Sequence, residues 1–305
     1  INYNSQKIIN THKKNKIKIY HHNIQLNKLI YESENNYLSL DDFVKKNKIK
    51  INENKTIGEN EYPFIIAEIG NNHNGNLDTA MKLIESAKES GADAVKFQVK
   101  NIEKSFAKEL LDSPYVNENS FGKTYREHKM ALEFSEEQMK QLYDFAAKID
   151  IICFSTPFDT DSVDMLERIG NSIYKISSFH VTDLNLIKYV CQTKKPIIIS
   201  TGMSTIEEID KAIELIKKYT KDFVIMHCVS CYPTEDEDVN LNVIPTLKNR
   251  YNCPVGYSGH ERGIAITAST VLLGSCAIER HFTLDRTMKG PDHASSVEPI
   301  GLNEH

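Results

Sequence analysis

The 305-residue sequence lacks the features that would place it in a membrane or on a nucleic acid. No apolar run reaches the roughly 18 residues that a membrane-spanning helix needs. The polar, Asn- and Lys-rich start contains no visible secretory signal peptide. Positive charge is not in excess, because 42 acidic residues against 37 Lys and Arg give a formal net charge of −5. We therefore expect neither a membrane nor a nucleic-acid partner.

Cysteine is sparse and scattered, with six residues in the chain. Four of them lie in or beside apolar strand-like runs, which suits buried thiols in a reducing cytoplasm, and we expect the protein in that compartment. Cys228 and Cys231 form a Cys-x-x-Cys pair. The pair follows a strand-like run and does not open a helix, so a redox or zinc role is the less favoured interpretation.

Residues 1–46 differ in composition from the rest, since they are rich in Asn, Lys and Ile and contain no Gly or Ala. We interpret them as an N-terminal extension of unknown role, with a short helix predicted at Leu40 to Lys46. Residues 47–305 are predicted to form one barrel domain. The alternating segment Ile49 to Ile57 predicts a small hairpin at its start.

From Pro63 onward, short β-branched runs alternate with amphipathic stretches. The eight predicted strands are Phe64–Glu68, Ala94–Gln98, Ile151–Ser155, Ile173–Ser178, Pro196–Ser200, Phe223–Cys228, Pro254–Tyr257 and Ala277–His281. Between them, Leu77–Ser90 and Ile206–Tyr219 show the apolar spacing of helices. This alternation predicts an α/β fold, a (β/α)8 TIM barrel. A doubly wound sheet is the less favoured competitor. Because the sequence stops near Gly301, where the eighth helix would begin, we expect a barrel truncated before helix 8.

Polar side chains end all eight predicted strands. In a TIM barrel, catalytic groups come from the carboxyl ends of the strands and the loops that follow them. The polar residues at these ends are Glu68, Lys96 with Gln98, Ser155 with Thr156, Lys175 with Ser178, Ser200 with Thr201, Ser230 with Tyr232, Ser258 with His260, and Glu279 with His281.

His260 and His281 follow neighbouring strands, so a barrel would bring both imidazoles to the same rim. Two nitrogens with oxygen donors suit Mn²⁺ or Mg²⁺ at an open site, whereas zinc normally takes a third protein ligand. His73, in the loop after the first strand, is a candidate third ligand, with a role in positioning that loop as the alternative.

Lys96 and Lys175, together with the Ser and Thr hydroxyls, predict an anion site, because charge-assisted hydrogen bonds to phosphate and carboxylate are strong. Two alternatives stay open. One is a structural ion pair, such as Lys96 with Glu68. The other is a Schiff base between a rim lysine and a carbonyl substrate, as in a class I aldolase.

The segment from Phe64 to Glu304 resembles the sialic acid synthase family. The matching motifs are Phe64–His73, Val95–Gln98, Gly122–His128, Tyr174–Ile176, Ser200–Met203, His227–Thr234, Gly256–His260 and Glu279–Thr283. The resemblance implies metal-dependent condensation of phosphoenolpyruvate with N-acetylmannosamine, or a close 2-acetamido sugar. The products are N-acetylneuraminate and phosphate.

The resemblance also implies a role for each matching residue. Phosphoenolpyruvate would be held by Lys96, Thr156, Lys175, Ser178, Ser200, Ser230 and Ser258. The sugar would contact Gln98, Tyr232 and Asp292. His260 and His281 would bind Mn²⁺ or Mg²⁺, and Glu68 would lie beside the reacting carbons.

The sequence departs from the family pattern in two places. His180 stands where many relatives have Glu or Asp on the sugar side of the site, which affects the choice of sugar. Family members also carry a C-terminal antifreeze-like domain that donates an arginine to the partner subunit. We expect a homodimer for the full-length form and no such domain within this chain.

Two alternatives to the leading function differ in kind. One is a sibling synthase that makes legionaminic or pseudaminic acid, or that uses N-acetylmannosamine 6-phosphate. The segment Ser120 to His128 looks somewhat closer to animal-type enzymes, which use the phosphorylated sugar. The other is an inactive fragment or binding module, which the predicted truncation supports.

Overall fold

The computed structural model describes residues 48–59 and 61–303. The predicted extension 1–46, with its short helix, lies outside these residues. Strands β1 (Lys48–Lys50) and β2 (Thr56–Gly58) pair antiparallel with Ile49 opposite Ile57, which confirms the predicted hairpin. Both isoleucines are buried in one cluster with the first residues of barrel strands, such as Phe64 and Ala277. The hairpin therefore closes the amino-terminal end of the barrel.

Eight parallel strands follow and close on themselves. They are β3 (Phe64–Gly70), β4 (Ala94–Val99), β5 (Ile152–Pro157), β6 (Tyr174–Ile176), β7 (Ile197–Ser200), β8 (Phe223–Cys228), β9 (Val255–Gly259) and β10 (Ala277–His281). Each strand pairs with the next in chain order, and β10 returns to β3 with His281 opposite Glu68. The closure confirms the TIM barrel and rules out the doubly wound sheet, which would leave two open edges.

Helices connect the strands and cover the outside of the barrel. They are α1 (Leu77–Glu89), α2 (Ile102–Ser105), α3 (Lys108–Leu111), α4 (Tyr125–Leu132), α5 (Glu136–Lys148), α6 (Thr160–Ile169), α7 (Leu184–Gln192), α8 (Ile206–Lys217), α9 (Val243–Tyr251), α10 (Ala265–Leu272) and α11 (Pro299–Asn303). The two predicted helices are confirmed as α1 and α8. Side chains cap their first turns: Asn76 accepts from the Thr79 amide, and Thr205 forms a capping box with Glu208.

Successive side chains of a strand point to opposite faces, so the polar residues near the strand ends face the barrel interior at its mouth. In β4, Val95 and Phe97 are buried in the layer between strands and helices, whereas Lys96 and Gln98 face the interior site described below. The longer gap between β4 and β5 holds α2, α3 and α4, which form an insertion over residues 101–135. Within the described residues, no helix has the length and apolarity of a membrane span.

The structure shifts the predicted carboxyl ends of four strands by two residues, so that β3 ends at Gly70, β5 at Pro157, β6 at Ile176 and β9 at Gly259. β6 ends at Ile176, and Ser178–His180 forms a short 3₁₀ turn instead of continuing the predicted strand. The Ser177 hydroxyl lies 2.8 Å from the His180 ring, and the His180 amide donates to the Ser177 carbonyl, so local hydrogen bonds favour the turn. β5 continues to Pro157, which places Thr156 inside the strand.

Candidate active site

A buried group of four residues joins the first three strands of the barrel. The Lys96 ammonium lies 2.6 Å from a Glu68 carboxylate oxygen and donates to the Thr156 hydroxyl at 3.1 Å. The other Glu68 oxygen accepts from the Gln98 amide at 2.8 Å. Burial opposes the charge of Lys96, but Glu279 and Glu68 together raise its pKa. Lys96 is therefore a firmly charged donor at the mouth of the barrel.

A second buried group is centred on the Glu279 carboxylate, which also lies near Lys96. Its Oε1 accepts from the Lys175 ammonium at 2.9 Å and from the Ser258 hydroxyl at 3.2 Å, and it lies 3.7 Å from Lys96. Burial would raise the pKa of Glu279, but the charges of Lys175 and Lys96 bring that pKa down to about 2. Glu279 is thus a carboxylate that positions both predicted anion-binding lysines.

Hydroxyl groups line the next part of the rim. The Gly202 amide donates to the Ser178 hydroxyl at 2.9 Å, and a Cβ at Gly202 would collide with the hydroxyls of Ser178 and Ser230. The glycine therefore leaves room for two hydroxyls from different loops beside its backbone. The Ser200 hydroxyl is buried and has no hydrogen-bond partner among the described residues. An unpaired buried hydroxyl is costly, which is expected where a polar ligand completes its hydrogen bonding.

His260 and His281 lie side by side at the mouth, as predicted, with ring centroids 5.6 Å apart. His260 Nδ1 lies 2.8 Å from the Val229 carbonyl, so it carries a proton and donates; in the neutral ring, Nε2 then has a free lone pair. Burial opposes the charged ring, but the Cys228 side chain and the Val229 carbonyl raise the pKa of His260. His281 Nδ1 is buried and has no hydrogen-bond partner among the described residues. The Tyr232 ring packs against His260 with centroids 4.0 Å apart and lies edge-on to His281 at 5.9 Å.

These two imidazoles fit the predicted metal site in donor chemistry. Burial lowers the pKa of His281, against opposing effects of Asp292 and Glu68, so its ring is favoured in the neutral form that binds metals. Among residues 48–59 and 61–303, no cluster of three or more His, Cys, Asp or Glu side chains is arranged to hold an ion. The arrangement suits an open site with two nitrogen ligands and does not suit a closed zinc site.

Three of the predicted site residues converge above Gly70. This residue has φ +52°, a left-handed conformation that favours glycine. A Cβ there would lie 3.3 Å from Glu68 Oε1, 3.4 Å from Gln98 Nε2 and 3.4 Å from His281 Cε1. The carboxylate, the amide and one imidazole therefore share one small space at the barrel mouth. Asp292 joins from the loop after β10, where its carboxylate accepts from the Asn71 amide at 3.3 Å.

The structure assigns His73 to loop positioning. Its ring is buried, stacks on Phe134 with centroids 4.2 Å apart, and accepts from the Gly75 amide at 3.0 Å. Burial, and then the charge of Lys100, lower the pKa of His73 to about 3. These contacts favour the loop-positioning role of His73 and disfavour its role as a third metal ligand.

Replacing His73 with Gln should reduce the loss of stability at acid pH. The folded state keeps the imidazole neutral down to about pH 3, whereas the unfolded chain binds a proton near its ordinary pKa of about 6.5. This contribution to stability is present above about pH 6.5 and is lost as the pH falls toward 3. Urea unfolding between pH 7 and 4 would measure the change. Weaker Mn²⁺ binding by the variant would contradict the positioning role.

Three further residues bear on points that the sequence raised. His180 is buried, with its ring edge-on to Phe158 at 4.8 Å between centroids, and burial lowers its pKa, so it is neutral near pH 7. Cys228 is buried and Cys231 is exposed, and both are free thiols. Neither belongs to a group of three or more potential metal ligands among the described residues.

Glu279 is one of the predicted rim residues, but it is not among the predicted site residues. Its side chain alternates with Arg280 along β10, so it faces inward like His281. The sequence did contain a feature that could have identified Glu279 as a site residue. A buried carboxylate that faces the barrel interior, where two lysines also face inward, has to be paired. The identity of its partners depended on which strands lie opposite one another.

The protein is a closed (β/α)8 barrel with a polar, charged site at the carboxyl ends of its strands, the location of active sites in this class. The chain belongs to the NeuB family, whose model matches residues 83–304. The family assignment confirms the resemblance inferred from the motifs.

Named relatives and a solved structure agree with this membership. The chain is 40% identical over 242 residues to the N-acetylneuraminate-9-phosphate synthase of Mus musculus, covering 79% of this chain and 67% of the relative. It is 41% identical over 243 residues to the N,N'-diacetyllegionaminic acid synthase of Campylobacter jejuni, covering 78% and 73%. The crystal structure of N-acetylneuraminic acid synthetase from Leptospira borgpetersenii, in complex with citrate, has a TM-score of 0.76 and 36% identity and covers 84% of this chain and 85% of that one.

Proposed function

We propose that the protein condenses phosphoenolpyruvate with N-acetylmannosamine, or a close 2-acetamido sugar, to give N-acetylneuraminate and phosphate. The observation that carries this proposal is the placement of two buried lysines and two neighbouring histidines around the same barrel mouth. Lysines suit the anionic substrate, and histidines suit a cation that activates a carbonyl. A site of this composition can hold an enol phosphate beside an aldehyde.

Lys96, Lys175 and the hydroxyls supply the phosphoenolpyruvate side. An ammonium has three donors, and each lysine uses only part of this capacity on Glu68, Glu279 and Thr156. The remaining donors can bind carboxylate and phosphate oxygens. The unpaired Ser200 hydroxyl and the pair around Gly202 add neutral donors on the same rim.

His260 and His281 are the residues that would hold Mn²⁺ or Mg²⁺. When bound, such an ion supplies Lewis-acid polarisation of the sugar aldehyde. His260 is oriented for this by its hydrogen bond to the Val229 carbonyl, a type of outer contact that fixes ligating imidazoles. Tyr232, packed on the ring of His260, limits the access of water from one side.

The remaining chemistry is assigned to the chain's own side chains. The enol carbon of phosphoenolpyruvate bonds to the sugar aldehyde carbon while both are held in place; the π bond of the aldehyde opens, and its oxygen takes a proton from solvent to become a hydroxyl. Glu68, fixed by Lys96 and Gln98, accepts a proton from the water that adds to the phosphate-bearing carbon. The C–O bond to phosphate then breaks, and inorganic phosphate leaves with the bridging oxygen. Gln98, Tyr232 and Asp292 are proposed to contact the sugar.

A phosphate-release assay with phosphoenolpyruvate, Mn²⁺ and a panel of 2-acetamido sugars tests this function. We expect release with at least one N-acetylmannosamine-type acceptor and none without a sugar. With ¹⁸O in the bridging position of phosphoenolpyruvate, the label should appear in the phosphate, since the C–O bond is the one that breaks. Absence of release with every sugar would support the binding-module alternative. Preference for a diacetamido sugar would support the legionaminic or pseudaminic acid alternative.

The Schiff-base alternative makes opposite predictions. A lysine that attacks a carbonyl has to lose its proton, but Lys96 has a raised pKa. Burial lowers the pKa of Lys175, and its pairing with Glu279 at 2.9 Å opposes the loss of the proton. We therefore expect borohydride to leave the protein active in the presence of substrate and a chelator to inactivate it. Borohydride trapping together with resistance to chelators would favour the aldolase mechanism.

A further inference from the structure

We propose that Asn71 is a positioning residue for the acceptor sugar, and that it acts by holding the Asp292 carboxylate ready to accept from a sugar hydroxyl. Asn71 belongs to the asparagine loop, defined as residues 71–74 after β3, which contacts the β10 loop, defined as residues 282–297. The inference rests on the proposed function, because Asp292 is one of the side chains proposed there to contact the sugar.

Both loops begin directly beside the proposed site. The asparagine loop follows Gly70, where a Cβ would lie 3.3–3.4 Å from side-chain atoms of three predicted site residues. The β10 loop follows His281, and its first amide, of Phe282, donates to the Glu68 carbonyl at 2.8 Å. Because consecutive Cα atoms are only about 3.8 Å apart, the first residue of each loop lies next to the barrel mouth.

Asn72 and Asn74 fix the path of the β10 loop. Asn72 is almost completely buried, and its amide donates to the Phe282 carbonyl and to the Ser296 hydroxyl, each at 2.8 Å. Asn74 donates to the Lys289 carbonyl at 2.9 Å. These bonds hold the β10 loop to the asparagine loop near its start, its middle and its end, so its backbone has a defined path beside the site.

Asn71 orients the side chain of Asp292 within this frame. The Ser296 hydroxyl donates to the Asp292 carbonyl at 2.7 Å, which fixes the backbone at that residue. The amide of Asn71, itself buried, donates to Asp292 Oδ2 at 3.3 Å. Among residues 48–59 and 61–303, the Asp292 carboxylate forms no ion pair, and its Oδ1 has no hydrogen-bond partner. One oxygen is therefore held by the protein, and the other is free to accept.

A sugar hydroxyl is the matching ligand for this free oxygen. An ionised carboxylate accepts through both oxygens and cannot donate, and a hydroxyl that donates to it makes a charge-assisted hydrogen bond. Asp292 is half-buried, so a ligand can reach it. Without the Asn71 bond the carboxylate would rotate, and the sugar would have to order it on binding, which costs affinity. The contribution of Asn71 should therefore appear in the binding of the sugar.

The test is a double-mutant cycle on the whole chain. Phosphate release is measured with N-acetylmannosamine, or with the 2-acetamido sugar of the panel that the wild type uses best. Asn71→Ala should raise KM for the sugar about fivefold, because the bond that it removes is long for a charge-assisted one. The kcat should stay within about twofold, since a contact that is equal in the ground and transition states affects KM alone. KM for phosphoenolpyruvate should also change less than about twofold.

The second half of the cycle repeats the substitution in an Asp292→Ala background. There, Asn71→Ala should change KM for the sugar less than about twofold, since no carboxylate is left to orient. Calorimetric titration of the sugar in the presence of Mn²⁺ gives the same comparison for a variant whose turnover is too slow to measure.

Two further variants sharpen the comparison. Asn101→Ala is the matched control, since the Asn101 amide also donates to an aspartate, Asp161 at 3.1 Å, outside the two loops. It should leave both KM values within about twofold of the wild type. Asn71→Asp keeps the shape of the side chain and replaces the donor with a second carboxylate, so it should raise KM for the sugar more than Asn71→Ala does.

The outcomes separate this inference from the proposed function. If Asn71→Ala has the same effect in both backgrounds, or raises KM equally for the sugar and for phosphoenolpyruvate, the positioning role is wrong while the condensation stands. If the wild type releases phosphate with no sugar of the panel, the proposed function fails and the inference fails with it. Melting temperatures identify a variant that has lost its fold, and Asn71→Asp then replaces Asn71→Ala in the cycle.

Discussion

Replacing His281 with Ala should abolish Mn²⁺ binding and lower the rate of phosphate release by at least about 1,000-fold. The substitution removes one of the two ring nitrogens at the barrel mouth, and a single imidazole is a weak site for a divalent ion. Polarisation of the carbonyl contributes several kcal/mol of transition-state stabilisation, and a loss of about 4 kcal/mol lowers the rate about 1,000-fold. Titration with Mn²⁺ followed by electron paramagnetic resonance measures the binding directly, without any turnover.

His227→Gln provides a matched control for the loss of a buried imidazole. His227 lies on β8, and its Nε2 contacts the Val239 carbonyl at 2.6 Å, away from the histidine pair. This variant is expected to lose some stability and to keep its Mn²⁺ affinity within a few fold. Unchanged Mn²⁺ binding and turnover in His281→Ala would show that the metal assignment is wrong.

Replacing Arg280 with Ala should destabilise the fold by about 3–5 kcal/mol, the usual cost of breaking a buried ion pair by removing one partner. Arg280 is almost completely buried, and its guanidinium donates to a Glu261 carboxylate oxygen at 3.0 Å and to the Gly263 carbonyl at 2.8 Å. It also donates to the Thr267 hydroxyl at 2.7 Å. Removing it leaves the Glu261 charge buried without a cation. Urea unfolding at pH 7 measures the loss.

A double-mutant cycle separates the ion pair from simple loss of volume. We expect Glu261→Gln to be strongly destabilising, and the double variant Arg280→Ala with Glu261→Gln to be more stable than the two single effects predict by addition. The pair joins the residue after His260 to the residue before His281, so the variants should also bind Mn²⁺ more weakly. A loss below about 1 kcal/mol in Arg280→Ala would mean that the pair contributes little to stability.

Much of the site could be predicted because a barrel converts strand order into proximity. Once β9 and β10 are consecutive strands, His260 and His281 have to meet at one rim, and the centroid distance of 5.6 Å agrees. The same rule brings Lys96 next to Glu68, since Lys96 and Glu68 are register partners on β4 and β3. Strand ends were less predictable. Local hydrogen bonds of Ser177 with His180 replace the last part of the predicted sixth barrel strand with a turn.

By itself, the sequence determined the order of the eight strands, the polar residue at each carboxyl end and the motifs of the family. These properties are local or periodic, and the geometry of strands makes them readable along the chain. Only the tertiary structure decided that Glu279 joins Lys96 and Lys175 and that His73 supports a loop. Those contacts depend on rotamers, loop paths and burial. Lys96 and Lys175 lie more than a hundred positions from Glu279, and Phe134 lies 61 positions from His73, so no local pattern encodes these contacts.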